Sequence, residues 1–329
     1  MLWFRRLNLA TVALCFIVIV FGAYVRLSDA GLGCPDWPGC YGHVGVPGAQ
    51  HELANAEAAF PDRPVEAHKA WKEMIHRYLA TTLGLAIVAL AAWSTRLKAP
   101  RKTVRVLPWV LVGLVMFQGA LGMWTVTLLL KPLVVTGHLL GGLTTLSLLL
   151  WLWLSTVAPV KADAPRPLLR FSTFVLAILA AQIFLGGWTS TNYAALACPD
   201  LPTCQGRYIP ETDYKTAYTL WHGLGINYEH GILDARARVT IHWTHRLGAG
   251  IVTVTTLLLA LVLLRLHAPV WRRFGFAVLG VLALQVALGL AIVWFQLPLA
   301  LATAHNAGAA LFLACLVALN QRLRSAPSI

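Results

Sequence analysis

The stretch Cys34-Pro-Asp-Trp-Pro-Gly-Cys40 returns 164 residues later as Cys198-Pro-Asp-Leu-Pro-Thr-Cys204. Each copy is followed by a His-Arg pair and then by a single histidine. These are His76-Arg77 with His138, and His245-Arg246 with His305, at offsets of 169 and 167. Gly22 and Gly186, Gln118 and Gln285, Gly122 and Gly289, and Gly141 and Gly308 keep the same register. A repeat of this length implies two similar halves, 1–160 and 161–329, each with two histidines and two loop cysteines in equivalent places.

Working outward from the repeat, composition sets the solvent. Hydrophobic residues make up 58% of the chain and charged residues 12%, a balance that excludes an ordinary soluble domain. Apolar runs long enough to cross a hydrocarbon core of about 30 Å occur near 9–27, 74–93, 107–128, 133–154, 169–189, 241–264, 273–295 and 299–319. The expected fold is therefore all-α and integral to a lipid bilayer, with eight transmembrane helices arranged as two pseudo-symmetric four-helix bundles. Gly22 to Arg26 leads straight into repeated sequence rather than into a small-residue cleavage site, so the first span is expected to be retained.

The formal net charge of +13 is distributed by side of the membrane, which argues against nucleic acid as its target. Fifteen of the 26 Lys and Arg residues fall at the N-terminus, in alternate connections and at the C-terminus, although the opposite connections include the two longest loops. The positive-inside rule then puts both termini in the cytoplasm. Both Cys-x5-Cys motifs face outward, into an oxidising compartment where disulfides Cys34–Cys40 and Cys198–Cys204 are expected. Two readings of these pairs stay open: staples for short loops, and, for Cys34 and Cys40, a redox role near a cofactor. Cys15 and Cys315 sit inside apolar spans and read as core.

Ionisable side chains inside membrane spans are costly to keep there and mark function. His76, His138, His245 and His305 are expected in the first turns of the even-numbered spans, all at one depth on the outer side. Zinc would call for three or four converging ligands, whereas each half offers two imidazoles on separate helices. That pattern suits the two axial positions of a haem iron inside a helical bundle. Gly84, Gly141 and Gly142, and Gly248, Gly250 and Gly308, follow the histidines by whole or half turns; they allow a flat macrocycle, or another helix, to approach closely. Arg77 and Arg246 are candidates for pairing with haem propionates or, alternatively, for snorkelling to lipid phosphate.

One position breaks the duplication. Glu73 stands three residues before His76, and the corresponding position before His245 is His242. A carboxylate within one turn of an iron ligand can act as a base or orient water, and an imidazole cannot supply the same charge. Chemistry is therefore expected in the first half and a permanent cofactor in the second.

Taken in order, Cys-Pro-Asp-Trp-Pro-x-Cys, Glu-Met-Ile-His-Arg, Thr-Gly-His138, Cys-Pro-Asp-Leu-Pro-x-Cys, Thr-His-Arg-Leu-Gly and Thr-Ala-His305-Asn resemble the haem A synthase family over about Gly22 to Gly308. The resemblance implies two four-helix bundles that oxidise a ring methyl of haem O to the formyl of haem A through an alcohol, with water as oxygen source, for cytochrome oxidase assembly. It implies that His76 and His138 flank the substrate haem O and that His245 and His305 ligate a resident haem b. Glu73 is then the catalytic carboxylate, with Cys34 and Cys40 as further candidates. The implied surroundings are a bacterial inner membrane, with haem sites toward the periplasmic side, an external electron acceptor, haem O synthase and cytochrome oxidase assembly factors as partners, and a possible homo-oligomer.

Two other classes share the four histidines: a bis-histidine b-type cytochrome taking electrons from quinol, and a haem transporter or chaperone. Only the synthase needs a base in one half. The loop from Tyr208 to Arg238, with Trp221, His222, Tyr228 and His230, and its first-half counterpart with His51, Glu57 and His68 read as outer caps with exposed histidines. Tyr228-Glu229 is a candidate border to a haem edge. Gln118 and Gln285 read as interhelical hydrogen bonders.

Overall fold

A computed structural model of the protein describes residues 1–98 and 101–327. In chain order the helices are α1 (Leu2–Leu27), α2 (Gln50–Ala59), α3 (Ala67–Thr95), α4 (Lys102–Thr127), α5 (Pro132–Ser155), α6 (Arg166–Thr191), α7 (Tyr214–Ala217), α8 (Ala235–Arg265), α9 (Pro269–Trp294) and α10 (Leu299–Ser325). Eight of these, all but α2 and α7, are long and apolar enough to cross a membrane. The chain is thus the all-helical, multi-pass membrane protein that its hydropathy predicts.

Two helices begin well before their apolar spans. α3 starts at Ala67 and α8 at Ala235, where hydropathy alone places the starts near 74 and 241. The added turns are amphipathic. Ala70 and Met74 pack with Cys34, Cys40 and Tyr41, while Lys69 and Lys72 stay polar on the other side. Asp234 fixes the start of α8 by accepting the Ala237 N–H at 2.8 Å, the side-chain cap that a helix N-terminus lacks by itself. A correction follows for the histidines: His76 and His245 lie in the third turns of their helices, and His138 and His305 in the second turns, not in the first.

The long helices form two rings. α1 packs on α3, α3 on α4, α4 on α5, and α5 returns to α1; α6, α8, α9 and α10 repeat that circuit. Within each ring the diagonal pair that carries the histidines, α3 with α5 and α8 with α10, brings no Cα atoms within 8 Å of each other among the described residues. The rings meet along α1 and α5 on one side and α6 and α10 on the other. There Gly187 lets the backbones close up: a Cβ on it would lie 3.0 Å from Leu139 and 3.2 Å from Thr136. One apolar core, including Phe4, Leu90 and Leu149 of the first ring and Leu259, Trp271 and Phe312 of the second, runs through both.

The corners repeat as faithfully as the motifs do. Leu129 and Leu130 turn α4 into α5 at φ 51° and 60°, and Gln296 and Leu297 turn α9 into α10 at 58° and 63°. Side chains other than glycine pay of order 1 kcal/mol each for that left-handed backbone. Its recurrence at matching positions, along with Asp29 and Tyr193 and with Tyr41 and Gln205, marks a shared corner design that packing on both flanks enforces.

Candidate haem-binding sites

Each outer loop is built on its aspartate. The carboxylate of Asp36 accepts the N–H groups of Tyr41 and Gly42 at 2.6 and 2.7 Å, and that of Asp200 accepts those of Gln205 and Gly206 at 2.6 and 2.9 Å. Hydrogen bonds from the Thr203 hydroxyl and then the Gly206 and Gln205 amides hold the Asp200 carboxyl down at about 2. The aspartate of Cys-Pro-Asp thus locks the hairpin that closes each cysteine pair. The structure joins Cys34 to Cys40 and Cys198 to Cys204, with Cα atoms 4.8 and 4.5 Å apart. Thiol labelling of unreduced, denatured protein is accordingly expected to reach only Cys15 and Cys315, with the other four of the six cysteines appearing after reduction. Labelling of all six without reductant would remove both bonds.

The conserved plan of the two halves continues into the helices below. Arg77 donates to the carbonyls of Asp36, Pro38 and Gly39 at 3.0, 3.1 and 2.5 Å. Arg246 does the same to Cys198, Asp200 and Thr203 at 2.6, 2.9 and 2.9 Å. Through these bonds both arginines anchor the loops.

Beside each arginine the halves part. Glu73, 5% exposed, accepts the Cys34 N–H at 2.9 Å on Oε2 and pairs with Arg77 at 2.5 Å through Oε1. His242 occupies the same niche: its Nδ1 accepts the Cys198 N–H at 3.2 Å and its Nε2 faces Arg246 Nε at 3.3 Å. The geometry is common to both halves and only the charge differs. The first half carries a buried carboxylate between a disulfide loop and His76; the second carries a neutral-capable ring.

His76 lies within electrostatic range of His138, and His245 of His305. Each pair therefore faces inward from diagonal helices whose backbones stay apart. Every one of the four rings rests against a glycine of the neighbouring helix. A Cβ on Gly22 would meet His76 Cε1 at 2.7 Å, one on Gly122 would meet His138 at 3.5 Å, and those on Gly186 and Gly289 would meet His245 and His305 at 3.2 Å. Nδ1 of His76, His138 and His305 is buried without a hydrogen-bond partner, which is uncommon for a buried polar atom and calls for an explanation. Among the described residues no three His, Cys, Asp or Glu side chains converge. Paired imidazoles across a bundle, glycine-lined and short of partners, fit a bis-histidine macrocycle better than a tetrahedral ion.

Gln182 is the residue that the sequence reading missed. Its Nε2 lies 3.0 Å from His245 Nδ1 and donates to the His245 carbonyl at 2.9 Å. The signal was available: Gln182 precedes Gly186 by four residues, as Gln118 precedes Gly122 and Gln285 precedes Gly289. Gln285 Nε2 lies 3.3 Å from His305 Nε2, so it serves a histidine as well as the helix interface. The outer-loop residues fall elsewhere. Tyr228 is buried with Leu32, Val126 and Leu130, and Glu229 pairs with Arg63 at 3.3 Å, which puts both in the seam between halves. His230, His51 and His68 are exposed as expected, whereas His222 is half-buried near the Tyr228 ring.

Residues 5–317 match a family model described as cytochrome oxidase assembly protein. A protein of Shewanella oneidensis named "Heme A synthase" is 47% identical over 324 residues, covering 97% of this chain and 95% of its own length. Another of that name from Caulobacter vibrioides is 27% identical over 340 residues, covering 95% and 93%.

Proposed function

This chain belongs to the family of cytochrome oxidase assembly proteins, and on that premise we propose that it is a haem A synthase, an integral membrane enzyme that takes haem O as substrate. The observation that carries the assignment of roles is the exchange of Glu73 for His242 inside two otherwise matching niches. A duplicated protein that needed only two electron-carrying haems would have no use for a carboxylate in one of them.

In this reading residues 1–160 form the catalytic half and 161–329 the half that keeps a resident haem b. His76 and His138 hold the substrate from diagonal helices, and His245 and His305 hold the cofactor. Converting the ring methyl to a formyl group consumes one water and releases four protons and four electrons, by way of a hydroxymethyl intermediate. Haem b in the second half supplies a one-electron redox centre on the way to an external acceptor.

Glu73 receives protons in this scheme. It lies one turn from His76, its Oε1 is held by Arg77 and its Oε2 by the Cys34 amide. Held in this way, an ionised Glu73 would be the form able to take a proton from water or alcohol at the ring substituent. The Cys34–Cys40 loop closes over this carboxylate and limits access from the aqueous side. A redox part for that disulfide goes with the proposal as a secondary role. The bias of Lys and Arg along the chain supports an inner-membrane orientation with both termini cytoplasmic and both sites toward the periplasm.

Extraction of haem from purified protein tests the assignment. Haem O or its hydroxymethyl or formyl derivative is expected beside haem B. Two equivalents of haem B and nothing else would instead identify a b-type electron carrier.

A further inference from the structure

Three of the four histidines share a glutamine-in-notch motif that the fourth lacks. In each of the three, one helix carries Gln-x-x-x-Gly and its neighbour His-x-x-Gly: Gln118 to Gly122 with His138 to Gly141, Gln182 to Gly186 with His245 to Gly248, and Gln285 to Gly289 with His305 to Gly308. The first glycine seats the imidazole, and the second leaves a notch for the glutamine. A Cβ on Gly141 would lie 2.7 Å from Gln118 Cδ, one on Gly248 would lie 3.2 Å from Gln182 Cδ, and one on Gly308 would lie 3.5 Å from Gln285 Cδ. From those notches Gln182 and Gln285 reach ring nitrogens of His245 and His305 at 3.0 and 3.3 Å. The Gln118 amide, 8% exposed, sits in the His138 notch with its Nε2 unpartnered.

The fourth unit reads Val18-Ile-Val-Phe-Gly22 against His76-Arg-Tyr-Leu79. Its seating glycine is present, with the Gly22 position closest of all to a histidine ring. Valine replaces the glutamine and leucine fills the notch, both packed in the apolar core, so among the described residues no side-chain amide stands beside this ring; its Nδ1 is unpartnered, as are those of His138 and His305. Outer-shell side chains packed against a ligating imidazole fix its orientation, and losing such a partner costs about 10- to 100-fold in metal affinity.

We infer that Gln118, Gln182 and Gln285 are positioning residues for His138, His245 and His305, and that Val18 and Leu79 make His76 the one unsupported and exchangeable haem ligand. The inference rests on the two-haem reading above and deepens it. The second half holds its macrocycle by two buttressed imidazoles and retains it. The first half holds its macrocycle by one buttressed and one free imidazole, so substrate can enter and product can leave through His76.

Reciprocal transplants test this without recourse to turnover. Val18→Gln with Leu79→Gly installs the missing support, and Gln182→Val with Gly248→Leu removes the matching one. Haem loss to a scavenging apoprotein and the midpoint potential are measured on each purified holoprotein, with Gln182→Glu as the variant that fills the same notch with a side chain of the same shape. The first transplant is expected to slow haem release from the amino-terminal half about 10-fold or more. The second is expected to speed release from the carboxy-terminal half by a like factor and to shift its potential, and Gln182→Glu alone, which still fills the notch, is expected to retain slow release. Unchanged release rates in either folded transplant would overturn the inference. Should the first variant fail to fold, the second decides alone. Wild-type protein without any porphyrin would instead sink the two-haem reading itself, an outcome distinct from porphyrin bound with indifferent glutamines.

Discussion

Replacing Glu73 by histidine is expected to cut haem A formation by at least about 100-fold, the lower range for loss of a positioned base, while the protein keeps its fold and its bound haem. The second half has already made this substitution. His242 receives the Cys198 amide and faces Arg246 in the geometry by which Glu73 receives the Cys34 amide and pairs with Arg77. The loop anchor therefore survives Glu73→His and the negative charge does not. Glu73→Gln separates the two effects further, since its amide oxygen can still accept the Cys34 N–H. Product analysis by pigment extraction gives the readout, with accumulation of haem O in both variants. Full conversion in either one would remove the carboxylate from the mechanism.

The other large effect concerns the resident cofactor. His245→Ala or His305→Ala is expected to eliminate the low-spin absorbance of the haem in the second half, because six-coordinate iron loses an axial imidazole. His76→Ala and His138→Ala should leave that band in place and abolish retention of haem O instead. The distinction follows from the packing: the two pairs lie in separate rings, each between diagonal helices whose backbones stay apart. A low-spin spectrum that survives both second-half substitutions would move the cofactor elsewhere.

Glycine replacements provide no substitute for these experiments, since Gly22 and Gly186 touch the histidine rings directly. A methyl on Gly22 would lie 2.7 Å from His76 Cε1 and force the ring to move. Any loss of haem would then report displacement rather than ligation.

Much of this molecule was legible from residue order. Mean hydropathy placed eight spans, the repeat paired them four with four, and the Cys-x5-Cys, His-Arg and lone-His series picked out the candidate ligands before any coordinates. Gln182 escaped because a single glutamine in an apolar helix looks like an interhelical hydrogen bonder; only its spacing to Gly186 distinguishes it. That Arg77 and Arg246 anchor the loops was not legible, because charge beside a ligand says nothing of which carbonyls lie within reach. The helix starts at Ala67 and Ala235 were set too late because apolarity measures what lipid covers, whereas the first turns of α3 and α8 are stabilised by the disulfide loop and by the Asp234 cap.

By itself the sequence determined the solvent, the number of spans, the duplication and the place where the duplication fails, since each depends on side-chain chemistry at fixed separations along the chain. The tertiary structure alone decided which helices stand diagonal, which glycine seats which imidazole, and which carbonyls hold each arginine. Those relations join residues tens to hundreds of positions apart, and the distances between them are set by how the helices pack, which no spacing along the chain encodes.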